Sequence, residues 1–284
     1  MRARALHSDA IVVTSALLHL NSVLIRGGAG APPRSGPLGV IEVAPGAAGA
    51  GEAETFLIDS PLLPDEIALL PSLVEQSRLP APSGLLATHG DWDHLLGGLA
   101  FPGLPLGCAE STAARLAAEP GAAQRELRAF DEELYLERPR PLSLGAVQGL
   151  PVPGRCELGG RELELHPADG HTADGMAIWA PWARVLVAGD YLSSIEIPMI
   201  GPGGGVGAYL ATLERLRPLL AEAEHVVPGH GPVLDGPGAL RVLEEDVAYL
   251  RALREHGERA ELPQGRRSRE QRRIHARNAQ ALRG

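Results

Sequence analysis

Residues 88–94 read THGDWDH, so His89, Asp91, Asp93 and His94 fall within six positions, between the apolar runs Gly84–Ala87 and Leu95–Leu96. Three more groups of the same chemistry follow. His171 lies in ADGHTADG after the stretch RELELHPA, Asp190 closes RVLVAGD, and His230 closes HVVPGHG. Imidazole and carboxylate are donors that borderline divalent metals accept, zinc first and iron or manganese next. Four imidazoles and three carboxylates are about what two adjacent ions need, with water in the remaining positions. Each block has a plainer reading when taken alone. Asp91 or Asp93 could cap a helix start, His171 and His230 could be hydrogen-bonded turn residues, and Asp190 could cap a strand end. The recurrence of the pattern after four apolar stretches favours a metal site. Loops at the carboxyl ends of strands gather along one sheet edge, and ligands bind there.

With these blocks in hand, the chain resembles the metallo-β-lactamase superfamily, whose signature is HxHxDH followed by a separate His, an Asp and a late His. The surrounding words agree: GHT at His171, AGD at Asp190, VPGHG at His230 and LIDS at Asp59. The resemblance runs from about residue 10 to 235. It implies a four-layer αββα sandwich, α/β in class, with the site at one edge. It further implies that His89 and His171 bind a first ion with residue 91, that Asp93, His94 and His230 bind a second, and that Asp190 bridges them. Asp59 is expected to position the metal-site loops more than to ligate.

The departure is Asp91, where the signature has histidine. A third carboxylate makes the donor set harder, favours iron or manganese relative to zinc, and lowers the Lewis acidity of the first ion. Its shorter reach suggests binding through water. Flavodiiron proteins, a redox branch of the same fold, carry a carboxylate at this position.

The chemistry implied is hydrolysis of an ester-type bond (lactone, thioester, carboxylic or phosphate ester) by a metal-bridging hydroxide. Two cations about 3.5–4 Å apart lower the pKa of a shared water from near 16 toward 7. Asp93 is expected to orient that water or take its proton. Tyr191 is expected to take part in catalysis, with YLSSIEIPMIGPGGGVG lining or covering the pocket and Ser60 assisting Asp59. No G-x-S-x-G occurs, and with no lysine in the chain no lysine base or Schiff base exists. Two alternatives remain: a carboxylate-rich diiron protein with oxygen or redox chemistry, and a nuclease-like or non-catalytic metal-binding member.

These groups need strands to present them. Two strands with a turn are expected before residue 27, then a short strand at LGVIEV within the Gly/Ala/Pro-rich stretch 27–52, and strands at ETFLIDSP, SGLLATHG and LPLGCAE. Further strands are expected at AVQGLPV, RELELHPA, MAIWAP, RVLVAGD and HVVPGHG. Helices are expected at about 64–77, in HLLGGLAF and ESTAARLAAEP, and over 121–140, 207–223, 236–257 and 266–282. Residues 1–284 read as one domain, with 236–284 a C-terminal helical extension. The walls of the pocket are expected from 27–52, 121–157 and 191–208.

Composition excludes several functions. A net charge of −9 argues against a dedicated nucleic-acid binder. The tail from Gly265 holds seven arginines against one glutamate and reads as a helix docked on an acidic body. Cys108 and Cys156 cannot build a disulfide framework or a four-cysteine zinc site, which fits a reduced, cytoplasmic setting. The opening residues are too polar for a membrane span. The expected partner is a small-molecule substrate, without membrane; a homo-oligomer stays open. Cys108 reads as a buried small hydrophobe, Trp92 as either packing anchor or pocket wall, and GPGGGVG as a lid or turn.

Overall fold

A computed structural model describes residues 1–28, 34–35, 41–42 and 52–282. Period-two burial builds its architecture. Seven strands form one sheet in the order β1 (Arg2–His7), β2 (Ala10–Thr14), β3 (Asn21–Gly27), β6 (Glu54–Ile58), β7 (Pro82–Leu86), β8 (Leu106–Ala109), β9 (Val147–Leu150). Five form a second sheet in the order β10 (Gly154–Leu158), β11 (Arg161–Pro167), β12 (Met176–Ala180), β13 (Val185–Gly189), β14 (His225–Pro228). The short strands β4 (Arg34–Ser35) and β5 (Ile41–Glu42) pair with each other. Val12, Val23, Ile25, Ile58 and Leu86 of the first sheet meet Leu163, Leu165, Ile178, Val185, Val187 and Val227 of the second, and so form the layer between the sheets.

The alternate residues face outward to helices. Ile11, Val13, Leu24, Leu57 and Leu85 pack beneath α1 (Pro64–Gln76) and α4 (Ala122–Leu134). Ala177, Trp179, Leu186, Ala188 and Val226 pack beneath α5 (Val206–Glu222), α6 (Gly236–His256) and α7 (Arg269–Ala281). The result is the four-layer αββα sandwich.

Strand direction then places the chemistry. β6, β7 and β8 are mutually parallel, and so are β13 and β14. β11 and β13 are each antiparallel to β12, so they run the same way as each other. The residues that follow β6, β7, β11, β13 and β14 therefore collect at the strands' carboxyl ends, along one rim. The two sheets are tied there. Asn21 N donates to Gly229 O at 2.7 Å, and Asn21 Nδ2 donates to Pro228 O and Gly231 O, both at 2.8 Å.

Some boundaries differ from the sequence-based expectation. Three strands, not two, precede residue 28, because the RARALH segment pairs with β2 as an edge strand although its arginines conceal any core-facing pattern. β10 was unexpected for the same reason: only Leu158 in it is fully buried. The helix expected over 121–140 ends at Leu134, where Tyr135 turns left-handed at φ 55°. Apart from Ile41–Glu42, the strand expected at LGVIEV lies outside the described residues, as does most of the 27–52 stretch.

Ile178 is fully buried in the layer between the sheets. Ile178→Ala should cost about 2–5 kcal/mol of stability through lost transfer energy and a cavity, read as a lower denaturant midpoint at unchanged slope.

Candidate metal centre

The centre starts from a carboxylate that touches no ion position. Asp59 ends β6 in the left-handed region at φ 54°, which aspartate tolerates better than most residues. Its Oδ1 accepts the Thr88 amide at 2.8 Å, and its Oδ2 accepts Thr88 Oγ1 and His94 Nδ1, each at 2.9 Å. Asp59 thus clips the turn after β7 to the end of β6 and aims His94 with Nε2 outward. The same device recurs. His171 Nδ1 donates to Met199 O at 2.9 Å and His230 Nδ1 to Leu18 O at 3.0 Å, while His89 Nδ1 lies 3.1 Å from Thr88 Oγ1. A carbonyl can only accept, so these contacts fix the tautomer of His171 and His230 and leave Nε2 free for a metal.

The free faces converge. Asp190 Oδ2 lies 3.3 Å from His171 Nε2 and 3.9 Å from His89 Nε2, while its Oδ1 lies 3.2 Å from His94 Nε2 and 3.5 Å from His230 Nε2. Asp91 Oδ2 is 3.3 Å from His171 Nε2 and 3.6 Å from His89 Nε2, and Asp93 Oδ2 is 3.5 Å from His230 Nε2. His89, Asp91 and His171 form one group able to hold an ion, and Asp93, His94 and His230 form another. Asp190 offers an oxygen to each. All seven expected residues are thus brought together. Asp91 Oδ2 comes as close to these two histidines as Asp190 Oδ2 does.

Donor satisfaction tests whether ions fit. His89 Nε2, His94 Nε2 and Asp190 Oδ1 are buried without a hydrogen-bond partner. An unsatisfied buried polar atom costs about 1–3 kcal/mol, and here three of them point at one another. A cation pair satisfies them all. Gly229 makes room for the arrangement, because a Cβ there would collide with Asp190 Oδ1 and approach His94 Cε1 to 3.0 Å.

The electrostatics agree. Burial opposes charge on His94, yet Asp59, Asp190 and Asp93 hold its pKa well above the ordinary value. His171 is likewise opposed by burial but raised to about 9 by Asp91 and Asp190. Burial works against ionisation of Asp190 too, but His230, His94 and His89 hold it well below the usual carboxylate range.

Several expected neighbours sit differently. Tyr191 turns its hydroxyl to the backbone. Its hydroxyl accepts from His171 N at 2.9 Å and lies 3.3 Å from Ala168 O, and its ring is buried against Tyr209, so it fastens the His171 loop from behind. Ser60 Oγ accepts the Leu96 amide at 2.9 Å and steadies the turn after Asp93. Trp92 stacks on Phe130, 4.9 Å between ring centroids, and is a packing anchor. Cys108 is fully buried, and burial pushes its thiol up to about 12. The glycine-rich segment is a pinned turn: Gly201 N donates to His171 O at 2.7 Å and Gly205 N to Gly170 O at 2.9 Å. The cavity at His171, Asp190 and His230 is walled by Ser193, Glu196 and Met199 of the segment after Asp190, and no residue of 121–157 lines it.

That wall depends on residues without any motif. Arg266 donates to Ser193 O at 3.1 Å and Glu196 O at 2.8 Å, and it pairs with Asp246 at 2.5 Å and Glu245 at 3.0 Å. Gln271 Oε1 accepts the Ile197 amide at 2.7 Å. Asn278 Oδ1 accepts the Ile200 amide at 2.9 Å, and its Nδ2 donates to Pro198 O at 2.6 Å. The tail therefore docks chiefly through one buried arginine and two neutral amides, not through a broad arginine face. It holds the backbone on both sides of Met199, whose carbonyl orients His171.

A sequence model of the metallo-beta-lactamase superfamily matches residues 48–230. A type 2 metallo-beta-lactamase of Bacteroides fragilis is 30% identical over 100 residues, which is 32% of this chain and 40% of that protein. A beta-lactamase-like protein 2 homolog of Caenorhabditis elegans is 32% identical over 95 residues, 32% of this chain and 28% of that protein. The matched stretch spans less than half of either relative.

Solved structures are similar over more of the chain. A metallo-beta-lactamase family protein from Thermus thermophilus has 22% identity and a TM-score of 0.61, covering 88% of this chain and 82% of that one. An archaeal superfamily member from Sulfolobus tokodaii has 15% identity and a TM-score of 0.59, covering 96% and 98%. TTHA1623, solved in a di-iron-bound form, has 21% identity and a TM-score of 0.53, covering 81% and 97%. Likeness at these identities concerns the fold.

Two outcomes are expected. Because the metal-free histidines hold protons up to about pH 9 for His171, protons compete with metal. Zinc affinity should rise between pH 6.5 and 9, and calorimetry in buffers of different ionisation enthalpy should show proton release. The sign for the metal-free fold is opposite. Stabilisation by charged His171 is fully present below its unfolded pKa and fades as pH rises through about 9. Separately, Asn278→Ala should cost about 1–3 kcal/mol and speed hydrogen exchange of the Ile200 amide.

Proposed function

Because the chain belongs to the metallo-beta-lactamase superfamily, we propose that it is a dinuclear metal-dependent hydrolase of an ester-type bond in a small molecule. The observation that carries this reading is Asp190, set between two imidazole–carboxylate groups with one oxygen turned to each. His89, Asp91 and His171 would hold the first ion and Asp93, His94 and His230 the second, zinc foremost, with Asp190 shared. When bound, such ions supply a water acidic enough to ionise near neutral pH and an electrophile for the substrate's oxygen.

The remaining work falls to side chains. The Asp93 carboxylate, beside His230, orients the attacking water and takes its proton. Glu196, whose carboxyl burial pushes up, lines the same cavity as His171 and His230 and gives its own proton to the leaving group, regaining one from solvent as Asp93 releases the one it took. The segment 193–200, braced by α7, narrows the cavity and excludes bulk water.

A second reading, an iron pair with redox chemistry, draws on Asp91 as a third carboxylate near the ion positions. A cytoplasmic setting belongs to the same proposal. Its support is two free cysteines and the lack, among the described residues, of a helix long and apolar enough to cross a membrane.

Metal analysis of protein purified without added metal, followed by a panel of lactone, thioester, carboxylic ester and phosphodiester substrates, tests the reading. Two zinc ions per chain and turnover of a carboxylic-type ester are expected, with Asp93→Asn lowering kcat by about 10²–10⁴-fold and weakening the second zinc. Bound iron with an oxygen-dependent visible spectrum and no ester turnover would replace it with the redox reading.

A further inference from the structure

Asp91 occupies the position where the superfamily signature has histidine, and the structure shows what accompanies the change. Arg115, from α3 (Glu110–Ala118), donates from Nη2 to Asp91 Oδ1 at 2.8 Å. Its Nη1 donates to Asp174 Oδ1 at 2.9 Å. Asp174 is buried, and its Oδ2 accepts the Gly90 amide at 2.9 Å and Thr112 Oγ1 at 2.8 Å. The guanidinium lies close against Gly90, where an added Cβ would come within 3.4 Å of Nη1. Arg115 is thus locked between two carboxylates. Asp91 has one oxygen occupied by it and one turned to His89 and His171.

We propose that Asp91 and Arg115 act together as one composite ligand that stands in for a histidine, offering a single oxygen donor whose negative charge the guanidinium partly offsets. The proposal rests on the metal-centre reading above. Its physical content is charge sharing. Arg115 is held by Asp174 as well as by Asp91, so it offsets part of the negative charge that a third ligand carboxylate adds to the centre. An arginine-bound carboxylate also donates less electron density to a metal than a free one, and its occupied oxygen prevents two-oxygen chelation. The hardening expected from a third carboxylate is therefore offset. The first ion keeps the Lewis acidity that hydrolysis needs, and zinc keeps its place against iron and manganese.

The test is a double-substitution cycle read as metal binding, independent of any substrate. Asp91→His, Arg115→Met and the combined variant are compared with wild type by zinc and manganese titration against metal buffers, with circular dichroism and melting to check folding. Asp91→His alone sets an imidazole beside a guanidinium stripped of one partner and should weaken the weaker zinc step by about tenfold or more. Arg115→Met leaves Asp91 unbalanced and should shift preference from zinc toward manganese by about tenfold. The combined variant should recover wild-type zinc affinity to within about threefold. If Arg115→Met fails to fold because Asp174 is left unpaired, Arg115→Lys supplies the comparison; it keeps the charge and should keep the zinc preference.

Wild-type zinc affinity in Asp91→His, or a combined variant no better than Asp91→His, overturns the proposal while leaving the dinuclear centre standing. A wild-type chain that takes up no ion overturns the centre itself and this inference with it.

Discussion

A shared carboxylate is the constraint around which this protein is organised. Asp190 lies mostly buried among four imidazoles, with its Oδ1 shut off from solvent, and its charge is met by imidazoles on both oxygens. Removing a charge from water without such partners costs several kcal/mol. Each histidine is in turn buried and needs its other nitrogen engaged. The rim between the sheets brings these groups together as two sets able to hold a metal ion.

The scaffold meets that demand through backbone and carboxylate contacts that reach far along the chain. His94 is aimed by Asp59 from β6, His171 by Met199 from the segment after β13, and His230 by Leu18 from the turn between β2 and β3. Each brace comes from a different strand connection. A displacement of either sheet would therefore misalign the donors, which links packing between the sheets to the chemistry at their edge. The C-terminal helix belongs to the same system. Gln271 and Asn278 hold the backbone amides flanking Met199, so residues beyond the matched family span help to orient a ligand within it.

Charge is handled by pairing throughout. Arg266 is almost fully buried and rests on Asp246 and two carbonyls. Arg26 is buried against Asp9, with Arg161 on the outer oxygen of that carboxylate. Arg115 between Asp91 and Asp174 is the same solution at the metal centre. In a chain without lysine, the planar fork that can grip two acceptors at once recurs at the buried carboxylates of Asp9, Asp174 and Asp246.

The sequence alone determined the donors and the strands that carry them. THGDWDH, GHT, AGD and VPGHG are short words at the ends of apolar runs, and both chemistry and periodicity are local properties. Most helices and inner strands were legible for the same reason. The edge strand Arg2–His7 and the exposed strand Gly154–Leu158 were not, since polar faces hide the alternation that marks a strand. Only the tertiary structure decided that Tyr191 turns its hydroxyl to backbone, that Arg115 completes Asp91, and that Arg266, Gln271 and Asn278 brace the cavity wall. Those contacts join residues 20 to 80 positions apart. Nothing in an isolated arginine or asparagine records which distant carboxylate or carbonyl the folded chain will bring to it.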